Sequence, residues 1–191
     1  AHSASGTSPI KVNTYGLSYS SYGSSLIGNS AIINANGEDD SRSFTQQNSG
    51  STTYCALLIS VTSATTAGDY IFHLGPTTIG TEFRCRLFIK DVSGTLKFGI
   101  STSGSTVTYA SGNYSYETTY LLVLKHYFDG SSQTSSLFIN PSTVSEPAAP
   151  DVTETTTTSL STNVGTVAIR QSNISNVAVI DGIRIGTNWG A

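Results

Sequence analysis

Charged residues are scarce in this sequence: Asp, Glu, Lys and Arg make up 11% of the 191 residues, and the formal net charge is −3. A typical globular domain has about 25% charged residues, and domains that bind nucleic acid usually carry a basic excess. Long apolar runs are also missing, since none approaches the roughly 20 residues that a membrane-spanning helix needs. We therefore expect no nucleic-acid partner and no membrane insertion.

The usual signatures of catalysis are absent as well. The histidines His2, His73 and His126 are far apart and form no His-x-x-x-His pair, so a zinc site of that kind is not expected. The chain has no Gly-x-Ser-x-Gly elbow and no dinucleotide fingerprint. Its nearest approach to the paired carboxylates of a glycosidase is the acidic turn at 38–40, which has no third acid nearby. We predict that the chain is not an enzyme.

Methionine is absent, and cysteine occurs only twice. Cys55 and Cys85 each occupy a core-facing position of a predicted strand. A disulfide between them requires their Cα atoms to lie within about 7 Å, and an intervening strand at 69–75 would hold them farther apart. Two buried thiols would instead pack as small apolar residues. Both interpretations stay open at this point.

Ser, Thr, Gly and Tyr are abundant, and the apolar residues fall in short alternating runs that are typical of half-buried strands. Turn sequences such as Asp129-Gly130 separate the runs, and no segment has a helical period with caps at both ends. We predict one all-β domain over 1–191, a two-sheet antiparallel β-sandwich. Its clearest strands are predicted at 54–62, 69–75, 82–90, 95–101, 105–110, 118–128, 135–139, 165–171 and 177–185.

Two stretches lack this strand pattern. Residues 1–30 are rich in Ser, Gly and Tyr, which predicts a loosely patterned lead-in strand or a wrapped N-terminal segment. Residues 140–164 contain three prolines and predict a long surface loop. Loops of this length are uncommon in compact domains and are often functional or mobile. The simpler interpretation is a crossover at the rim of the sandwich.

Several segments, taken together, resemble a known module. They lie at 38–44, 54–75, 83–90, 139–141, 146–147, 167–171 and 181–189, the last beginning Asp-Gly-Ile-Arg-Ile-Gly. As a set they resemble a concanavalin A-like (laminin-G-like) jelly-roll module of secreted, multidomain surface proteins of Bacteroidota-type bacteria. The resemblance covers about 36–190 and implies a jelly roll that is secreted or on the cell surface. It implies no activity, and it leaves self-association or tethering in a larger protein open.

The predicted strands place most cations on the faces opposite the core. We expect odd-numbered positions to point inward in 82–90 and 177–185, so that Arg84, Arg86 and Arg184 emerge on an outward face. Extended glycans lie on the concave outward face of a jelly roll, and a guanidinium can bind carboxylate or sulfate through two parallel hydrogen bonds. These arginines are therefore candidate ligand-binding residues. The alternative is that strand cations merely cover apolar surface and discourage edge pairing.

Aromatic side chains offer flat apolar faces on which sugar rings can stack. Tyr114 and Tyr116 lie in a turn with Asn113, and we expect both tyrosines to be exposed and available to a ligand. The single tryptophan, Trp189, follows the last predicted strand. We expect it to pack against the end of the sandwich.

Asp181 is predicted to face the core of the last strand. In several jelly-roll families that this chain resembles, an Asp at the corresponding position helps to bind a structural calcium ion, together with oxygens of the N-terminal segment. The resemblance therefore implies calcium at Asp181, which suits a buried carboxylate. The alternatives are a hydrogen bond to the backbone or a salt bridge with an arginine.

These observations favour a non-catalytic, lectin-like module that binds an acidic polysaccharide or a cell-surface glycan. A structural or adhesive module of a cell-surface or extracellular assembly, with no small ligand, is the second interpretation, because dense hydroxyl groups and many paired strands suit a durable spacer equally well. A divergent glycan-active enzyme ranks third.

Overall fold

The computed structural model describes residues 2–3 and 6–190. These residues form fourteen β-strands, and no helix within them could span a membrane. The strands are β1 (His2–Ser3), β2 (Lys11–Asn13), β3 (Ser30–Ile33), β4 (Asp39–Asn48), β5 (Thr52–Ser63), β6 (Asp69–Gly75), β7 (Arg84–Val92), β8 (Thr95–Ser101), β9 (Thr108–Tyr109), β10 (Thr119–Phe128), β11 (Gln133–Ile139), β12 (Val152–Thr156), β13 (Asn163–Ile169) and β14 (Val177–Gly186).

The strands form two antiparallel sheets of seven strands each. Sheet A has the order β1-β4-β13-β6-β7-β8-β9, and sheet B has the order β12-β11-β10-β5-β14-β3-β2. Leu57 and Leu122 of sheet B belong to the same fully buried cluster as Leu87 and Phe98 of sheet A. Each such side chain contributes about 1.5–3 kcal/mol by leaving water. The all-β, two-sheet jelly-roll sandwich predicted from the sequence is confirmed.

Both cysteines are free thiols buried in this core. Cys55 lies on β5 of sheet B and Cys85 on β7 of sheet A, so the two residues belong to opposite sheets. Burial raises the pKa of Cys55 well above its ordinary value and that of Cys85 to about 12. Of the two interpretations, the structure therefore has two separate buried thiols and no disulfide between Cys55 and Cys85.

In the predicted strand 82–90, strict alternation holds from Cys85 onward but fails at Phe83 and Arg84, and it fails again along β14. Cys85 and Leu87 point into the core, as expected. In β14 the even-numbered residues Ala178 and Ile180 belong to the core, whereas Val179 packs on the outer face of sheet B. The prediction that odd-numbered positions point inward throughout 177–185 was wrong.

A β-bulge explains the change of side along β14. Asp181 pairs with Leu58 and Arg184 with Ala56, so β14 has one more residue than β5 between these two pairs. Gly182, inside the bulge, has a φ of +59°, which other residues adopt only with strain. The extra residue places both Asp181 and Arg184 on the outer side of sheet B.

The outer face of sheet B carries a second, smaller apolar cluster. Its buried members include Leu58, Leu121 and Phe138, and Leu17 of the N-terminal segment packs on them. Residues 15–28 therefore wrap over this sheet, consistent with one of the two expectations for the N-terminal stretch.

The region at 140–164 is not an uninterrupted loop. Strand β12 lies inside it and pairs with β11 at the edge of sheet B, so the predicted loop is divided into shorter connections at 140–151 and 157–162. The sequence of β12 is Val-Thr-Glu-Thr-Thr, with a single apolar residue, and gives no alternation to detect. Its pairing comes from the neighbouring strand.

Candidate ligand-binding cleft

Arg84 is not on the open face that strict alternation predicts. It stands at the start of β7 beside Cys85, whose φ of +48° breaks the regular pleat. Only 7% of Arg84 is exposed, and its Nη2 donates to the Glu82 carboxylate at 3.3 Å and to the Leu160 carbonyl at 3.5 Å. Burial lowers the pKa of its guanidinium.

Arg86 lies half-buried on the outer face of sheet A, in a cluster of cations and aromatic rings. Its guanidinium carbon is 5.2 Å from the ring centroid of Tyr70, and that of Arg170 is 3.9 Å from the same centroid. Arg170 also donates to Asp69 at 2.8 Å. Such contacts hold the guanidinium groups against the protein itself.

Tyr114 and Tyr116 fold back onto the sandwich. The Tyr114 ring lies 5.1 Å from Phe98 and 5.5 Å from Tyr120, measured between centroids. Tyr116 donates its hydroxyl to Asp91 at 2.7 Å, and burial together with this bond raises its pKa to about 12. Both side chains are partly buried against the core, so the expectation that they are exposed was wrong, and their role in ligand binding stays a prediction.

Asp181 is 6% exposed and lies between sheet B and the N-terminal segment. One carboxylate oxygen accepts the Leu17 N–H at 2.6 Å, and the other accepts the Gly182 N–H at 2.7 Å. These partners are N–H donors, whereas calcium requires oxygen ligands. Within the described residues, no group of three or more His, Cys, Asp or Glu side chains could hold a metal ion. The geometry fits the hydrogen-bonded alternative, and calcium at Asp181 stays a prediction.

Arg184, in contrast to Arg84, lines a cleft of about 220 Å³ on the outer face of sheet B. The floor of the cleft is apolar and consists of Ala56 on β5 with Leu121 and Val123 on β10. Its sides come from the N-terminal segment, the connection after β11 and the residues that follow β14. We call this space the Arg184 cleft.

Three aromatic side chains form walls of the Arg184 cleft: Tyr22, Tyr54 and Trp189. Trp189 packs edge-on against Tyr54, with 5.9 Å between ring centroids, and its indole N–H donates to the Ser142 carbonyl at 3.1 Å. Tyr22 donates its hydroxyl to the Gly182 carbonyl at 2.6 Å. The contacts fix all three rings while leaving part of each accessible.

The Arg184 guanidinium has no acidic partner in the part of the chain that the structure describes. Among the described residues, no carboxylate lies within 4.0 Å of it, whereas Arg84 and Arg170 each pair with an acid. Gly23 makes room for the guanidinium, because a Cβ atom at Gly23 would stand 2.7 Å from Nη1 of Arg184. A positive charge therefore lines an aromatic cleft, and no carboxylate of residues 2–3 and 6–190 forms an ion pair with it.

Tyr54 is held by a bonded triad at the cleft wall. Its hydroxyl donates to Glu146 at 2.7 Å, and Lys125 donates to the other oxygen of Glu146 at 2.6 Å. Burial alone would raise the pKa of Glu146, but the hydrogen bonds from Lys125 and Tyr54 bring it below its ordinary value. The triad ties the connection at 140–151 to the sheet.

Sequence reasoning found Arg184 and noted Trp189, but it missed Tyr22 and Tyr54. Tyr54 is the first residue of the strand predicted at 54–62, whose apolar residues indicate only a core strand, and Tyr22 lies in a segment without strand pattern. Nothing local in the sequence signals that either tyrosine meets Arg184, which lies 162 positions after Tyr22 and 130 after Tyr54.

No family model matches this chain, and no curated protein matches it. The resemblance to laminin-G-like modules of Bacteroidota-type proteins therefore stays a prediction.

Solved structures with the same fold include three informative neighbours. The receptor binding domain of botulinum neurotoxin type G has a TM-score of 0.56 and 8% identity, over 99% of this chain and 43% of that one. The globular domain of T. cruzi calreticulin has a TM-score of 0.56 and 9% identity, over 94% and 80%. Alginate lyase A1-II' has a TM-score of 0.51 and 8% identity, over 83% and 80%. This chain spans less than half of the neurotoxin domain, and at such identities the likeness shows the β-sandwich fold alone.

Proposed function

We propose that this domain is a non-catalytic, extracellular carbohydrate-binding module whose ligand is an acidic sugar unit bound in the Arg184 cleft. The observation that carries the proposal is the guanidinium of Arg184, which lines a cleft with aromatic walls and has no acidic partner among the described residues. Bringing a charge partly out of water is unfavourable unless a counter-charge compensates it. An anionic ligand would supply that compensation.

The walls and the size of the cleft suit a sugar. A pyranose ring has an apolar face that can stack on Tyr54 or Trp189, while a carboxylate or sulfate group on the ring accepts two hydrogen bonds from Arg184. The volume of about 220 Å³ lies below the roughly 300–1,000 Å³ of typical drug-sized pockets. We infer that a single ring enters, such as the end or a side branch of a polysaccharide.

Binding is favoured over glycoside hydrolysis because no carboxyl group is among the described residues that line the cleft. Its described lining contains no Asp, Glu, His or Cys, whereas glycoside hydrolysis normally needs two carboxyl groups on opposite sides of the scissile bond. That an alginate lyase shares the fold supports a role in polysaccharide recognition only loosely, since one fold hosts many functions.

A glycan array tests the proposal. The wild-type protein is applied to polymers that contain uronic acids, to sulfated polymers and to neutral polymers, with and without a calcium chelator. We expect retention on one or more acidic polymers and at least tenfold weaker retention for Arg184→Gln, since a charged hydrogen-bonded pair is worth about 1.5–3 kcal/mol. Trp189→Ala should weaken retention as well.

Arg42→Gln is the matched control, because Arg42 is exposed on β4 of the other sheet. Equal retention of wild type and Arg184→Gln would refute the proposed site. No retention on any polymer would favour the structural or adhesive module. Loss of retention with the chelator would support the predicted calcium ion.

A further inference from the structure

A second group of arginine donors lies on the opposite side of the sandwich. Arg84 and Arg86 line one depression of about 540 Å³ at the start of β7, covered on one side by Ser159 and Leu160. Sheet A contributes both arginines, whereas the Arg184 cleft lies on sheet B. The two places therefore share no residue.

The two guanidinium groups have more N–H donors than the hydrogen bonds that the described residues accept from them. A guanidinium carries five N–H donors, and the described residues accept three hydrogen bonds from Arg84 and one from Arg86. The three bonds of Arg84 are long, at 3.3 to 3.5 Å. The Nε atoms of both arginines are buried and have no acceptor among those residues.

The charges near this depression are only partly compensated. Glu82 pairs with Arg84 but is half exposed, and exposed pairs contribute little. Glu154 lies near Arg86, yet its carboxylate already accepts the backbone N–H of Thr102. The charge of Arg84 also reaches the core, where burial and this charge together lower the pKa of His126 to about 3.

We propose that the depression between Arg84 and Arg86 is an oxyanion site that binds a sulfate or carboxylate group. Such a group brings several acceptor oxygens and a negative charge to two arginines whose donors are only partly satisfied and whose charges are only partly compensated. The site is independent of the Arg184 cleft. A module with anion sites on opposite sheets could hold two acidic chains at once.

The side-chain Nε–H signals of arginine in a ¹⁵N–¹H NMR spectrum test this site directly. The probes are sodium sulfate and sodium glucuronate, titrated against sodium chloride at constant ionic strength. We expect saturable shifts of the Arg84 and Arg86 signals, and the stronger response identifies sulfate or carboxylate as the preferred group. Absence of a saturable shift with both probes would overturn the proposal.

Variants separate this site from the Arg184 cleft and from misfolding. Arg86→Gln should weaken the response of Arg84 at least tenfold, whereas Arg184→Gln should leave it unchanged. Arg84→Lys keeps the charge but loses the forked donor geometry, and it should also weaken binding. The backbone signals of each variant report whether it is folded. An unchanged response in folded Arg86→Gln would contradict the site even if the glycan array supports the Arg184 cleft.

Discussion

Arg170 and Arg184 show how neighbours decide what a guanidinium can do. Arg170 is bonded to Asp69 at 2.8 Å and lies over the ring of Tyr70, so its charge and one of its faces are already used. Arg184 lies beside aromatic rings in a cleft with an apolar floor, and among the described residues no carboxylate is within 4.0 Å of its guanidinium. Only the second arrangement leaves a donor pair for a ligand.

Gly23→Ala tests this placement with one methyl group. The new Cβ would stand 2.7 Å from Nη1 of Arg184, so the guanidinium must move away from its present position. Gly23 is not in the left-handed region, so alanine causes no backbone strain there. We expect affinity for the acidic sugar to fall about 3- to 10-fold, or roughly 1 kcal/mol, as measured by calorimetry, with little change in Tm.

Gly80→Ala is the matched control, since a Cβ at Gly80 meets nothing within 4 Å. Equal affinities for the Gly23 and Gly80 variants would show that the position of Arg184 does not matter for binding.

At the scale of the element, the bulge in β14 builds the cleft. It brings Arg184 onto the outer side of sheet B, and Tyr22 anchors there by donating to the carbonyl of Gly182. In a regular strand, Asp181 and Arg184 would point to opposite faces of the sheet, and one of the two side chains would enter the core. The bulge therefore connects the N-terminal segment to the site.

Gly182→Ala should destabilise the domain through both strain and contact. The left-handed φ of +59° costs other residues about 1–2 kcal/mol, and the new Cβ would lie 3.1 Å from the Tyr22 ring. Gly94 has a φ of +81° with nothing within 4 Å, so Gly94→Ala measures the strain alone. In urea unfolding we expect Gly182→Ala to cost at least about 1 kcal/mol more than Gly94→Ala. Equal costs would mean that Tyr22 gives way freely.

The connection at 140–151 should respond to acid through Glu146. The pKa of Glu146 in the folded protein is below its ordinary value of about 4.3. The ionised carboxylate therefore stabilises the folded state above that pH, and this stabilisation is lost as the pH falls further, through the folded-state pKa. Release of Lys125 and Tyr54 should then alter the surroundings of Trp189. Because Trp189 is the only tryptophan, its emission during an acid titration reports this change. Glu146→Gln should lack the transition, and its persistence there would exclude Glu146 as the cause.

Strands with buried alternating residues were predictable, because the core imposes a period of two on β5, β7, β8 and β10. Strands β2 and β12 were not, since they are short and gain their pairing from neighbours. Gly182 is the only local sign of the bulge, because an isolated glycine in a strand often marks one. The prediction of regular alternation through Gly182 therefore failed. Arg184 could be found because it lies within a patterned strand, whereas Tyr22 depends on tertiary packing.

At the scale of the whole molecule, no bond links the two sheets through the cysteines. Cys55 and Cys85 are fully buried free thiols in opposite sheets, and burial raises the pKa of both. We expect neither to react with a thiol reagent in the native protein and both to react in urea, because only the accessible thiolate is reactive. A reducing agent should leave Tm unchanged. A lower Tm under reduction would reveal a disulfide.

The wrapping of residues 15–28 over sheet B has a practical consequence. These residues supply Tyr22 to the cleft, the N–H of Leu17 to Asp181 and a cover for Leu58 and Leu121. A recombinant fragment without residues 15–28 would retain the main core, but it would expose the apolar outer face of sheet B and lack one wall of the Arg184 cleft. An expressed fragment should therefore begin before residue 15. A shorter fragment would fold but aggregate through its exposed apolar face, and its failure to bind sugar would say nothing about the intact domain.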